Sequence, residues 1–375
     1  MIGYRARIQA DLERWRQAGW VTADGARAIE GDLASRAGRF GLPQVLALLG
    51  GVLLCFAAMT FVASNWQAMS KLARLAVLGA GLWGSFGAAH AFFRRGQAGF
   101  GHTAVLVGTS VFGAAIMLIS QMYHVDGHAP DAVLLWGFGA ALAGVVLRSN
   151  PALVLAALLL GLWSLWESSL IHAVHWAFLP AWAALTVASL AVTRWRPLYH
   201  LLALLLAGWV FFLGIFWNGA AAFGVGADHA HFLVTAIVGL VLAALIALAR
   251  PWIDRVIAVG QTASACMLGS SFAGLWVLQF IDRNHANVPL GVWFVLALAG
   301  LIAAIAYGLR ADNRPVLWVS YAAFTIELVS IYFKTLGTLM NTSLFFLSSG
   351  LLVIGLSWVA WKLHNRAPVT AGGQS

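Results

Sequence analysis

The chain has 375 residues, of which 61% are hydrophobic and only 9% charged, with a formal net charge of +9. A soluble domain carries about 25% charged residues, so this composition leaves a water-exposed surface almost nothing to be made of. The positive balance does not point to nucleic acid, because the Lys and Arg residues are scattered at the ends of apolar runs instead of clustered on one polar face.

Residues 1–42 differ from the rest, holding seven of the 22 Lys/Arg and five of the 13 Asp/Glu. Ile8, Leu12 and Trp15 form an apolar stripe at i, i+4, i+7, Gly19 suits a helix stop, and Thr22 suits the cap of a second helix through Ile29 and Leu33. This segment is expected to be a cytoplasmic amphipathic helical hairpin. Its apolar faces are too small for an independent core, so it lies on the membrane, on the body of the protein or on a partner.

Residues 43–361 are expected to be the transmembrane domain and 362–375 a cytoplasmic tail. Residues 45–63 carry no charge, and residues 72–93 carry only Arg74 near their start. At ~1.5 Å per residue either run crosses a ~30 Å hydrocarbon layer. Ten further apolar runs follow, at residues 103–123, 132–147, 152–166, 177–193, 199–217, 232–249, 256–281, 290–309, 316–333 and 343–361. The expected fold is therefore an all-α polytopic transmembrane bundle of about twelve spans. The short pair at 132–147 and 152–166, split by Arg148-Ser149-Asn150-Pro151, would lower the count to ten or eleven if it were one interrupted element.

Cytoplasmic loops carry an excess of Lys/Arg. With a cytoplasmic N-terminus, only Lys71, Arg74, Arg283 and Lys334 fall outside, leaving 18 of 22 within. Both termini are thus expected in the cytoplasm. Trp66, Trp136, Trp166, Trp195, Trp217, Trp252, Trp318 and Trp361 lie at span ends, as an interfacial aromatic belt requires. Some forty mostly polar residues precede the first run, which favours an uncleaved anchor over a signal peptide. Cys55 and Cys266 both lie inside apolar runs and offer no disulfide framework.

Gly79-Ala80-Gly81-Leu82-Trp83-Gly84 matches a dinucleotide fingerprint by letter, but no strand precedes it. Close helix packing explains it better. Ala80, Gly84, Ala88 and Gly81, Ser85, Ala89 each recur at i+4, the small-xxx-small spacing. No nucleophile elbow, zincin motif or P-loop is present, so neither enzymatic activity nor a cofactor is expected.

Seven of the 11 histidines fall in or beside the expected outer loops: His124, His128, His172, His175, His229, His231 and His285. Asp126, Asp131, Glu167, Asp228 and Asp282 lie among them. The 124/128, 172/175 and 229/231 spacings can bring two imidazoles to one metal, with a carboxylate such as Asp126 completing the shell. The same residues can sense pH. The plainest reading is that outer loops exclude Lys/Arg and use His as their polar residue. Glu327 is the one carboxylate well away from a span end, and a charge at such depth is expensive and usually functional. Gln121, Gln279, Gln261 and Asn65 are further candidates for an intramembrane polar site.

The stretches Leu12 to Thr22, Phe61-Val62-Ala63-Ser64-Asn65-Trp66, Ser120-Gln121-Met122-Tyr123-His124, Leu134-Leu135-Trp136 and Leu147-Arg148-Ser149 together resemble the bacterial multi-pass family termed domain of unknown function 2157. Leu336-Gly337-Thr338 and the run from Ser343 to Leu347 share the resemblance. It implies a bacterial inner-membrane protein and carries over no catalytic residue. The functional expectation is transporter-like movement of a small solute or ion, with Glu327 and Gln121 lining a polar route. The alternative is a non-catalytic scaffold or envelope sensor docking a cytoplasmic protein through the N-terminal hairpin. Expected partners are the lipid bilayer and a cytoplasmic protein or second copy, with no nucleic acid.

Overall fold

A computed structural model describes residues 11–36, 42–65, 69–124, 127–216, 229–281 and 290–335, together with a few positions between 347 and 358. Every described element is a helix. The first, α1, covers residues 11–17, followed by α2 (Ala23–Arg36), α3 (Leu42–Asn65), α4 (Lys71–Arg94), α5 (Ala98–Tyr123) and α6 (Ala129–Val146). Then come α7 (Asn150–Ile171), α8 (Phe178–Val192), α9 (Arg196–Phe216), α10 (His229–Val256), α11 (Gly260–Ile281), α12 (Leu290–Arg310) and α13 (Arg314–Thr335).

The N-terminal signals act as their chemistry requires. Gly19 adopts φ +74°, its N–H donates to Arg16 O (3.1 Å), and the Trp20 N–H donates to Trp15 O (2.9 Å). These two bonds are the Schellman arrangement, whose left-handed residue costs glycine nothing. Thr22 Oγ1 accepts from the Gly25 N–H (3.2 Å) and caps α2.

Eleven of the twelve expected spans correspond to α3–α13; the twelfth, 343–361, falls largely outside the described residues. Among the described residues, seven helices are long and apolar enough to cross a membrane: α4, α5, α6, α7, α9, most of α10 and most of α12. Residues 129–171 form two separate helices, α6 and α7, each long enough to span, and the residues between them make a tight turn with Arg148 at φ +48°. Residues 177–193 yield a helix of only 15 residues, about 22 Å long and short of the hydrocarbon thickness. The exposed side chains include Leu72 (80%), Trp83 (76%) and Leu248 (78%). Apolar exposure of this extent demands lipid as the solvent.

The chain divides into two compact units. Unit 1 comprises Met1–Gly127 and Leu142–Ala152. Within it α5 contacts α3 and α4, around Ala89, Val105 and Ala152. Gly81, Ser85 and Ala89 face α5: a Cβ on Gly81 would meet Val111, one on Gly108 would meet Phe86 and Ser85, and Ala89 is buried. The companion stripe does not serve this contact, because Gly84 faces open space and Ala80 is exposed.

Unit 2 comprises His128–Ala141 and Leu153–Ser375. Its central element is α11, which contacts α9, α10, α12 and α13. Its core gathers Val210, Ala243, Met267, Phe272, Leu301 and Val316 from those five helices. Helices α10 and α11 approach backbone to backbone. A Cβ on Gly239 would stand 2.9 Å from Met267 O and Ser271 N, and one on Gly274 would stand 3.0 Å from Phe232 O. Ser271 Oγ donates to Ala236 O across the same seam (2.7 Å).

Gly239→Val should therefore force α10 off α11 and lower stability by about 1–3 kcal/mol. Gly208→Ala, at a glycine with open space around its Cβ position, should leave it unchanged. Thermal unfolding of the detergent-purified variants checks both; equal midpoints for the two would refute the close seam.

Candidate functional site

Helices α11 and α13 run in the same direction, with α12 returning between them in sequence, so side chains at matching depths can meet. Near their starts, Asn313 Nδ2 donates to Ser264 Oγ (3.4 Å), while Asn313 Oδ1 accepts from the Val316 N–H and caps α13. The adjoining turns are tied together as well. Arg250 donates to Asp254 (3.2 Å) and to Ala311 O (3.3 Å), Asp254 accepts from the Gly260 N–H (2.9 Å), and Gln261 donates to Asp312 O (3.3 Å).

Some 14 residues further along, about 20 Å at helical rise, lies the second polar contact. Gln279 Nε2 donates to Glu327 Oε1 at 2.6 Å, and both side chains are buried, at 1% and 4% exposure. One turn away on the same faces, Trp276 Nε1 donates to Ser330 Oγ at 2.6 Å, and Ser330 donates onward to Ile326 O. Residues 276 and 279 on α11 and 327 and 330 on α13 both stand at i, i+3, so each helix presents two polar side chains to its neighbour. That matched spacing was the available sequence signal for Trp276 and Ser330, which composition and motif reading overlook.

Glu327 also lines a cleft of about 320 Å³ among α11, α12 and α13, together with Phe272, Trp276 and several alanines. An interhelical hydrogen bond in a membrane is worth about 0.6 kcal/mol on average and ~1.7 at most, whereas a charged side chain at helix centre costs about 2.5–3.5 kcal/mol to insert. An ionised carboxyl here would therefore cost more than one such bond returns.

Of the other intramembrane candidates, Gln121 is exposed near the end of α5 and Asn65 closes α3, its side chain outside the described residues. Both belong to unit 1, while Glu327 and Gln279 belong to unit 2.

The histidines expected in the outer loops separate into distinct roles. His124 and His172 occupy the left-handed region at the ends of α5 and α7, each with φ 50°. His is one of the few non-glycine residues enriched there. The His124 N–H donates to Ser120 O, and His172 Nδ1 donates to Leu170 O (3.1 Å). These two terminate helices. His128 instead donates from Nε2 to Glu167 Oε2 at 2.5 Å, joining the start of α6 to the end of α7. The expected pairings lay within single loops, whereas this pair joins two loops 39 positions apart.

His175 stands edge-on to Trp163, with centroids 4.4 Å apart. Its carbonyl accepts from Trp209 Nε1 (3.2 Å), and its Nδ1 is buried with no hydrogen-bond partner among the described residues. Burial holds its pKa below the ordinary value, opposed by the charge of Glu167. His231 is half-buried in α10, the side chain of His229 is outside the described residues, and Asp126, Asp228, Asp282 and His285 lie outside them entirely. Among the described residues no three His, Cys, Asp or Glu side chains converge as a metal site.

Gln279→Leu removes the donor to Glu327 and should cost about 1–2 kcal/mol of stability. Glu327→Gln keeps an acceptor oxygen and should cost less. Detergent melting curves read the order, and the reverse order would contradict the pairing. For His175, the unfolded chain takes its proton more readily than the folded one, so its contribution is present above pH 6.5, its ordinary pKa, and is lost as pH falls below it. Between pH 7.5 and 5.5 the melting temperature of His175→Gln should therefore fall less than that of the unaltered protein; parallel curves would discount the buried imidazole.

No curated protein and no solved structure matches the chain. A family model does match, over residues 13–153, which end before Glu327 and Gln279. Over those residues the chain is similar to the family described as predicted membrane protein, domain of unknown function 2157, in agreement with its apolar helices.

Proposed function

We propose that this chain is a transporter-like or permease-like protein of the bacterial inner membrane, moving a small solute or ion, with about twelve spans and both termini in the cytoplasm. We read it as non-enzymatic. The observation that carries the reading is the Glu327 carboxyl, buried at mid-helix against Gln279 and lining a cleft among three helices. A paired carboxyl at membrane depth is the usual mark of an ion or solute route. Gln279 is a neutral amide, so the carboxyl can exchange that hydrogen bond for one to a solute or for a proton. The Lys/Arg asymmetry of the loops supports the orientation.

The scaffold or sensor reading draws support from the N-terminal helices, where Trp20 is 78% exposed and Ile29 is exposed as well. Large exposed apolar side chains at and beside these helices suit a docking partner.

Two outcomes are expected. In proteoliposomes, Glu327→Gln should abolish solute or proton flux while the protein still elutes as folded material; unchanged flux would sink the transport reading. If docking is the function, removal of residues 1–40 should release a copurifying protein, and a chain that purifies alone with or without the segment counts against it.

A further inference from the structure

We infer that the cleft beside Glu327 binds a lipophilic organic cation, a compact apolar body carrying one positive charge. This rests on the transport reading and names its substrate class.

Four observations converge on it. Among the described residues lining the cleft Glu327 is the one ionisable group, a counter-charge for a cation and not for an anion. Phe272 and Trp276 supply aromatic walls, and the Trp276 ring is fixed by its N–H bond to Ser330 (2.6 Å); indole faces are the best cation–π partners. Ala297, Ala322 and Ala323 keep side chains short where α12 and α13 border the cleft, leaving about 320 Å³ for a ligand. Ala322 and Ile326 are exposed on α13, so the cleft opens on an apolar surface that suits a lipophilic molecule.

The alternatives fit the chemistry less well. An inorganic cation such as Ca²⁺ takes six or more oxygen ligands, and the described residues of the cleft offer one carboxyl. A sugar or another polyol needs several polar partners to replace its hydration, and apart from that carboxyl the lining side chains are apolar or aromatic.

The test uses full-length protein in detergent and equilibrium dialysis with tetraphenylphosphonium, against triphenylphosphine oxide as a neutral analogue. Saturable binding of one cation per chain is expected, with at least tenfold weaker binding of the neutral compound. Glu327→Gln should weaken cation binding at least tenfold. Ala322→Trp, which narrows the mouth and leaves the carboxyl in place, should do the same and keeps the test decisive if the first variant folds poorly. Equal binding by all three proteins, or equal affinity for the neutral analogue, overturns the inference. Glu327-dependent proton flux in vesicles without tetraphenylphosphonium binding overturns the substrate class and leaves the transport reading standing. Carboxyl-dependent binding without tetraphenylphosphonium flux supports the substrate class and removes the transport reading instead.

Discussion

Hydrocarbon offers a backbone amide no partner, and everything in this protein follows from that constraint. Each N–H and C=O within the apolar runs must be satisfied inside its own segment, which leaves the helix as the sole open structure that can span. The chain answers with one helix after another, ended by short turns whose residues tolerate a left-handed backbone: Gly19, Gly96, His124, Arg148, His172 and Asp312. Once helices are obligatory, burying apolar surface no longer drives them together, because lipid is as apolar as leucine. Shape and a few polar contacts must do it.

Both devices are visible in unit 2. Close approach is obtained where side chains are absent, as Gly239 and Gly274 let α10 and α11 touch main chain to main chain. Polar contacts then set register. Asn313 with Ser264 and Glu327 with Gln279 fix α11 against α13 at two depths about 20 Å apart. The two contacts are not equivalent. The first sits among turn residues, where backbone carbonyls and an ion pair share the load; the second places a carboxyl where water is scarce and beside an open cleft. A purely structural fastener has no need of an ionisable group, since an amide or hydroxyl would hold the helices at lower cost.

The histidines illustrate how one residue type serves several ends. Their enrichment in the expected outer loops suggested metal or proton chemistry; in the structure His124 and His172 close helices through backbone conformation, His128 links two helices through Glu167, and the His175 ring stands edge-on to Trp163 while its carbonyl accepts from Trp209. Spacing along the chain placed 124 with 128 and 172 with 175, but a helix end points consecutive loop residues in different directions. The pairing that forms, His128 with Glu167, spans 39 positions.

Local chemistry was legible from the residues alone. Helical class, the membrane as solvent, the Gly19 stop, the Thr22 cap, the Gly81-Ser85-Ala89 contact face and the singularity of Glu327 all follow from composition or from neighbours within one turn, and such interactions are written along the chain. The separation of α6 from α7 and the shortness of α8 depended on where turns closed, a small energetic difference that apolar runs do not encode. Only the tertiary structure decided that Gln279, among several buried or interfacial amides, is the partner of Glu327, and that Phe272, Trp276 and the alanines surround a cleft beside it. The reason is physical: a hydrogen bond between helices depends on their relative depth and rotation, which are set by the summed packing of all their neighbours and by no residue singly.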